Sequence, residues 1–121
     1  MRVLIIEDSR EAIAVAKARL TKEALDILCA DGGAAGLELA RREKPDLILL
    51  DLLLPKLNGY EVCNAVKRDN NTRHIPILVI STMDSPESIE KVKTCGAKNF
   101  MKKPYNLEDL LREIKRLLPA A

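Results

Sequence analysis

Short apolar runs alternate along the chain with longer segments of helical period. Residues 3–6, 25–29, 47–50, 77–80 and 99–101 read as strands. They are almost continuous apolar runs rather than alternating ones, the pattern of parallel strands covered on both faces. Between them lie amphipathic segments. The last is the clearest, with Leu107, Leu110, Leu111, Ile114, Leu117 and Leu118 on one face and Arg112, Glu113, Lys115 and Arg116 on the other. Asn106 suits its N-cap, and Pro119 ends it.

The other helices carry their own boundary signals. One runs from Ser9 to Lys22 and places Ile13, Ala16 and Leu20 together. A second, 33–42, follows the Asp31-Gly32-Gly33 turn, and a third, 59–68, follows Asn58-Gly59. A fourth opens at Ser85-Pro86, carries Ile89 and Val92, and has Gly96 for a C-terminal cap. Strand starts recur at the interval expected of βα units joined by right-handed crossovers. The prediction is a single doubly wound α/β domain, (βα)5, with a parallel sheet in the order 2-1-3-4-5.

Composition narrows the function classes. The 121 residues are 47% hydrophobic and 31% charged, an ordinary soluble balance that excludes intrinsic disorder. Twenty basic against 18 acidic side chains leave +2, too little to argue for nucleic acid or an acidic membrane surface. Three aromatics, Tyr60, Phe100 and Tyr105, are too few for a base-stacking platform. No apolar run approaches the roughly 18 residues of a spanning helix, and the start lacks a secretory pattern. Cytoplasmic location is the expectation. Cys29, Cys63 and Cys95 form no C-x-x-C and read as buried reduced thiols; one histidine, His74, leaves no zinc site or histidine triad.

Polar residues interrupt this pattern at the strand ends. Glu7-Asp8 follows strand 1, Asp51 breaks a run of leucines at the end of strand 3, Ser81-Thr82 closes strand 4, and Lys103-Pro104 follows strand 5. In an open parallel sheet, ligands bind beyond the carboxyl ends of strands where the winding reverses. Three carboxylates there repel one another by roughly 4 kcal/mol per pair at about 4 Å and a dielectric of about 20. A cation relieves that, and hard oxygen ligands without His or Cys favour Mg2+, which bridges readily to phosphate. Ser81 and Lys103 are groups suited to phosphoryl oxygens. Taken singly, Asp8 also suits the N-cap of the helix near Ser9, Ser81 a backbone group at a strand end, Lys103 a solvated surface, and Phe100 a plain core position. Asp51 has no such alternative, because burying an unpaired charge among leucines is very costly.

The motifs I-I-E-D-S, L-I-L-L-D-L-L-L-P-K-L-N-G-Y, I-P-I-L-V-I-S-T and F-M-K-K-P stand in that order, with Asp51 30 residues before Ser81 and 52 before Lys103. On them the chain resembles the response-regulator receiver domains of two-component signalling, the CheY-like superfamily with its flavodoxin-like fold, over residues 1–121 and with no output domain following. The resemblance implies that Asp51 accepts a phosphoryl group from a sensor histidine kinase or histidine phosphotransfer protein. It implies Mg2+ held by Glu7, Asp8, Asp51 and the backbone carbonyl of Leu53, with Ser81 and Lys103 on phosphoryl oxygens. Ser81 and Phe100 would form the switch, and the Lys103-Pro104 step would carry a cis-proline at Pro104. The surface of helix 4, strand 5 and helix 5 would then bind a downstream effector or a linked output domain, or pair two copies as a homodimer. Such a domain is a phosphoacceptor and not an enzyme acting on other substrates.

Four positions depart from the family's commonest residues. Glu7 replaces Asp, Ser81 replaces Thr, and Thr82 stands where Ala is usual and narrows phosphate access. Leu53 offers no side chain to position an attacking water, which implies slow self-dephosphorylation. Two other readings remain. A Mg2+-dependent phosphohydrolase with Asp51 as nucleophile, of the haloacid-dehalogenase type, would want a second Asp where Leu53 stands. A receiver-like binding module that is never phosphorylated would have no need of the intact acid pair, acceptor and lysine.

Overall fold

The computed structural model describes residues 1–54, 58–82 and 85–119. The Pro-Lys-Leu stretch of the third-strand motif therefore lies outside the described residues. In chain order the elements are β1 (Arg2–Ile6), α1 (Arg10–Thr21), β2 (Asp26–Ala30), α2 (Gly33–Glu43), β3 (Leu47–Asp51), α3 (Gly59–Arg68), β4 (Ile77–Ser81), α4 (Pro86–Thr94), β5 (Asn99–Lys102) and α5 (Leu107–Leu117). All four strand pairings are parallel and the sheet order is β2-β1-β3-β4-β5, as the alternation of elements predicts.

The continuous apolar runs are explained by a core on each side of the sheet. Leu4, Ile6, Ile48, Leu50, Ile77 and Val79 face α2, α3 and α4, where they meet Ala40, Val62, Val66 and Val92. Their neighbours Val3, Ile5, Leu47, Leu49, Leu78 and Ile80 face α1 and α5, meeting Ala16, Leu20, Leu110, Leu111 and Ile114. Successive strand side chains point to opposite faces, so covering both faces requires every position to be apolar. Each large side chain fully buried here contributes about 1.5–3 kcal/mol. The edge strands β2 and β5 are only half-buried, whereas β1, β3 and β4 lie inside.

Two local details place the site. Strand β2 begins one residue later than periodicity suggests, because Ala24 turns the chain through a left-handed conformation (φ 61°) and Asp26 pairs with Arg2. Strands β3, β4 and β5 each run one residue further than their apolar runs, so Asp51, Ser81 and Lys102 hold the last strand positions. Helix α3 starts hard against β3. The Asn58 side chain accepts the Glu61 N–H, and the Gly59 N–H bonds Leu52 O at 3.0 Å. A Cβ at Gly59 would lie 2.5 Å from Leu52 Cα and 2.7 Å from Asp51 O, so only glycine permits this approach.

Helix α4 ends in a Schellman motif. Gly96 sits at φ +92°, its N–H bonds Lys93 O, and the Ala97 N–H reaches Val92 O. A bidentate Arg19–Glu108 pair ties α1 to α5, and Lys115 ties α5 to Glu23 in the turn after α1. Among the described residues no helix is long and apolar enough to cross a membrane.

Candidate functional site

The carboxyl ends of β1, β3 and β5 deliver the acids and the lysine to one place. Glu7 follows β1 directly. Its N–H bonds Ala30 O at 3.0 Å, and its Oε1 accepts the Ser9 N–H at 3.2 Å. Asp51 closes β3 opposite Ile80, and its Oδ1 accepts the Leu53 N–H at 3.0 Å. Both acids are 6% exposed. Between them lies the Lys103 ammonium, donating to Glu7 Oε2 at 2.8 Å and to Asp51 Oδ2 at 3.2 Å. The backbone of Lys103 is itself held against β4, its N–H on Ser81 O at 2.8 Å. The Lys103–Pro104 peptide is cis.

Asp8 is exposed beside this pair. It does not cap α1: Ser9 is the N-cap, its hydroxyl accepting the Ala12 N–H, which leaves the Asp8 carboxylate for the cluster. One ligand oxygen from each of Glu7, Asp8 and Asp51 lies within 4.8 Å of the others. Three oxygens converging at that spacing, with no sulfur or imidazole among them, fit a hard divalent cation such as Mg2+.

The electrostatics show what the cluster costs. Burial pushes the Glu7 carboxyl above its usual range, opposed by the Lys103 hydrogen bond and reinforced by the neighbouring Asp51. Burial acts against the Lys103 ammonium, yet its hydrogen bond to Glu7 and the charges of Asp51 and Glu7 hold its pKa above the ordinary lysine value.

Ser81 is fully buried at the last position of β4, in register with Lys102. Thr82 beyond it is exposed, as is the Leu53 side chain at 49%. Phe100 pairs with Val79 and is half-buried against the core shared with α2, α3 and α4. His74 is exposed beside a cleft at the other end of the sheet, with Lys44, Lys98 and Pro119. Tyr105 is a residue that composition alone did not single out. It is half-buried, its hydroxyl pKa is raised by burial, and the charges of Lys103, Glu7 and Asp51 act on it. Its position directly after Lys103-Pro104 is the only signal for it in the chain.

Residues 3–115 match the response regulator receiver domain. The chain belongs to that family. Protein PilH of Pseudomonas aeruginosa is 35% identical over 117 residues, covering 97% of both chains. Response regulator PleD of Caulobacter vibrioides is 33% identical over 116 residues, which are 96% of this chain and 26% of PleD. Among solved structures, chemotaxis protein CheY4 of Vibrio cholerae superposes with a TM-score of 0.91 at 30% identity, over 97% of this chain and 98% of that one. The BeF3-activated receiver domain of Klebsiella pneumoniae RstA gives 0.90 at 27% identity, over 99% and 100%. Receiver domains are signalling domains of two-component systems, broadly non-enzymatic, and bind Mg2+ at an acidic pocket. They work with histidine kinases and with effector or output domains.

Proposed function

We propose that Asp51 accepts a phosphoryl group from a phosphohistidine on a sensor histidine kinase or histidine phosphotransfer protein in the cytoplasm, and that the resulting charge switches a binding surface. The supporting observation is the placement of Asp51. A carboxylate at the end of a strand buried on both faces keeps one oxygen on the Leu53 N–H and the other on a lysine shared with Glu7. That lysine balances its charge, and a lysine on a flexible stem can be redirected to a phosphoryl oxygen.

Glu7, Asp8, Asp51 and the Leu53 carbonyl would hold Mg2+, which when bound offsets the charge gathering on the phosphoryl oxygens. The Asp51 carboxylate attacks phosphorus, and the bond to the histidine nitrogen breaks. The aspartyl phosphate carries about −1.5 to −2 in place of the single negative charge of the carboxylate, and Lys103 meets the increase by moving off Glu7. The Ser81 hydroxyl donates to a phosphoryl oxygen, and the Phe100 ring turns inward into the space this leaves. The face made by α4, β5 and α5 thereby changes its affinity for an effector, a linked output domain or a second copy. Full conversion of such a switch from 1:99 to 99:1 takes about 5.5 kcal/mol of differential stabilisation, so partial activation is expected.

The deciding experiment is intact mass after incubation with acetyl phosphate, with and without Mg2+, on the native chain and on Asp51→Asn. One phosphoryl group gained only with Mg2+ and absent from the variant supports the reading. No adduct, or an adduct that survives Asp51→Asn, overturns it.

A further inference from the structure

The cysteines are widely separated in sequence, and the fold brings two of them together. Cys63 projects from α3 and Cys95 caps α4, and both lie in the core beneath α2, α3 and α4. The Cys63 thiol donates to Cys95 O at 3.1 Å, and the Cys95 thiol donates to Val92 O at 3.1 Å. The Cys63 sulfur thus lies directly against the backbone of Cys95. Cys29 stands apart, half-buried on the edge strand β2.

The environment differentiates the pair. A groove of about 900 Å³ runs between α3 and α4, lined by Tyr60, Asn64, Glu90, Lys91, Thr94 and Cys95. Cys95 is the member that borders it, whereas Cys63 is fully enclosed. The neighbouring Cys63 side chain pulls the Cys95 thiol down to about 7, against its burial, with the half-buried Lys67 ammonium adding to the effect. The proximity of Cys95, together with burial, pushes the Cys63 thiol up. Cys95, the member that borders the groove, is therefore the one that ionises more readily, and the thiolate is the reactive form of a cysteine. The Schellman motif just beyond it holds its backbone in place.

We propose that Cys63 and Cys95 are a reversible thiol pair that a small hydroperoxide converts to a disulfide, tying α3 to the end of α4. The Cys95 thiolate attacks one peroxide oxygen, the O–O bond breaks, and the departing oxygen takes a proton from solvent as water or an alcohol. Cys95 is left as a sulfenic acid. The Cys63 sulfur then attacks the Cys95 sulfur and gives up its proton, and the S–O bond breaks with release of water. The two sulfurs lose two electrons, and the O–O bond gains them. The Cys63 sulfur already lies 3.1 Å from the Cys95 carbonyl oxygen, so a rotation of the two side chains rather than a displacement of the helices brings the sulfurs to bonding distance. This inference is independent of the phosphoacceptor reading.

The test uses the full chain, reduced, freed of reductant and treated with hydrogen peroxide at small molar excess. It is then unfolded in N-ethylmaleimide, weighed and peptide-mapped. The expected product is lighter by two hydrogens before alkylation, carries one maleimide on Cys29 instead of three, and yields a Cys63–Cys95 linked peptide that dithiothreitol releases. Three maleimides after peroxide, or a link that includes Cys29, would overturn the proposal. In Cys63→Ala the reaction should stop at a Cys95 sulfenic acid that dimedone traps; absence of that adduct in a folded variant also overturns it. Peroxide treatment in guanidinium is the control, and an equal yield of the Cys63–Cys95 link there would refute the role of the fold.

Discussion

Replacing Lys103 with Met keeps the length and apolar stem of the side chain while removing its charge. The ammonium lies 2.8 Å from Glu7 and 3.2 Å from Asp51, with side-chain exposures of 24%, 8% and 7% for the lysine and the two acids. At an effective dielectric of about 20 the two attractions come to roughly 6 and 5 kcal/mol gross. Desolvation of three partly buried ions, several kcal/mol apiece, offsets most of this. The variant is left with acids whose oxygens lie within 4.8 Å. Their repulsion is roughly 3.5 kcal/mol per pair at that separation and dielectric. Some of it is relieved when Glu7 takes a proton. We therefore expect a net loss of about 2–3 kcal/mol near pH 8, somewhat under the cost of breaking a fully buried pair.

The pH dependence distinguishes charge from packing. Burial already raises the Glu7 carboxyl above its unfolded value of 4.5, and the variant removes the lowering influence of Lys103. A carboxyl with a raised folded pKa binds more protons folded than unfolded, so stability falls as pH climbs from the unfolded value through the folded one. In Lys103→Met that window is wider. The stability difference from the native chain should be small at pH 4.5 and grow towards pH 8. Urea unfolding followed by far-ultraviolet circular dichroism across that range measures it. A loss that is constant with pH, or larger in acid, would refute the electrostatic account and leave only the lost packing of the lysine stem.

Three further outcomes are expected. Gly59→Ala should cost about 2–3 kcal/mol in the same unfolding assay, because its Cβ would meet the backbone of Leu52 and Asp51. Gly36→Ala should also destabilise, by about 1–2 kcal/mol, since its Cβ would lie 2.5–3.2 Å from Cδ1, Cγ1 and Cγ2 of the fully buried Ile6 while alanine's helix preference offsets part of the clash; an unchanged stability would refute this. If Leu53, largely exposed and apolar beside the acceptor, leaves the attacking water unguided, Leu53→Asn should shorten the aspartyl-phosphate lifetime roughly tenfold. An unchanged decay of the phosphorylated mass would count against that role.

Local and one-dimensional information was legible in the chain itself. Strand runs apolar at every position required cover on both faces, and the turn and cap residues bounded the helices within a residue or two. The polar residues breaking those runs, Glu7, Asp8, Asp51, Ser81 and Lys103, marked the carboxyl ends of the strands, where the winding predicts a site. That much follows because periodicity reports burial and strand ends report direction. What the chain could not supply was the distance between groups on different strands, which depends on register and sheet twist. Only the tertiary structure joins Lys103 to Glu7, 96 residues away, and sets it between two acids. It also decides that Ser9 and not Asp8 caps α1, that Tyr105 feels the site's charges, and that Gly59 must lack a side chain. The same holds for Cys63 and Cys95. No spacing rule pairs thiols 32 residues apart, and they meet only because α3 and α4 pack side by side on one face of the sheet.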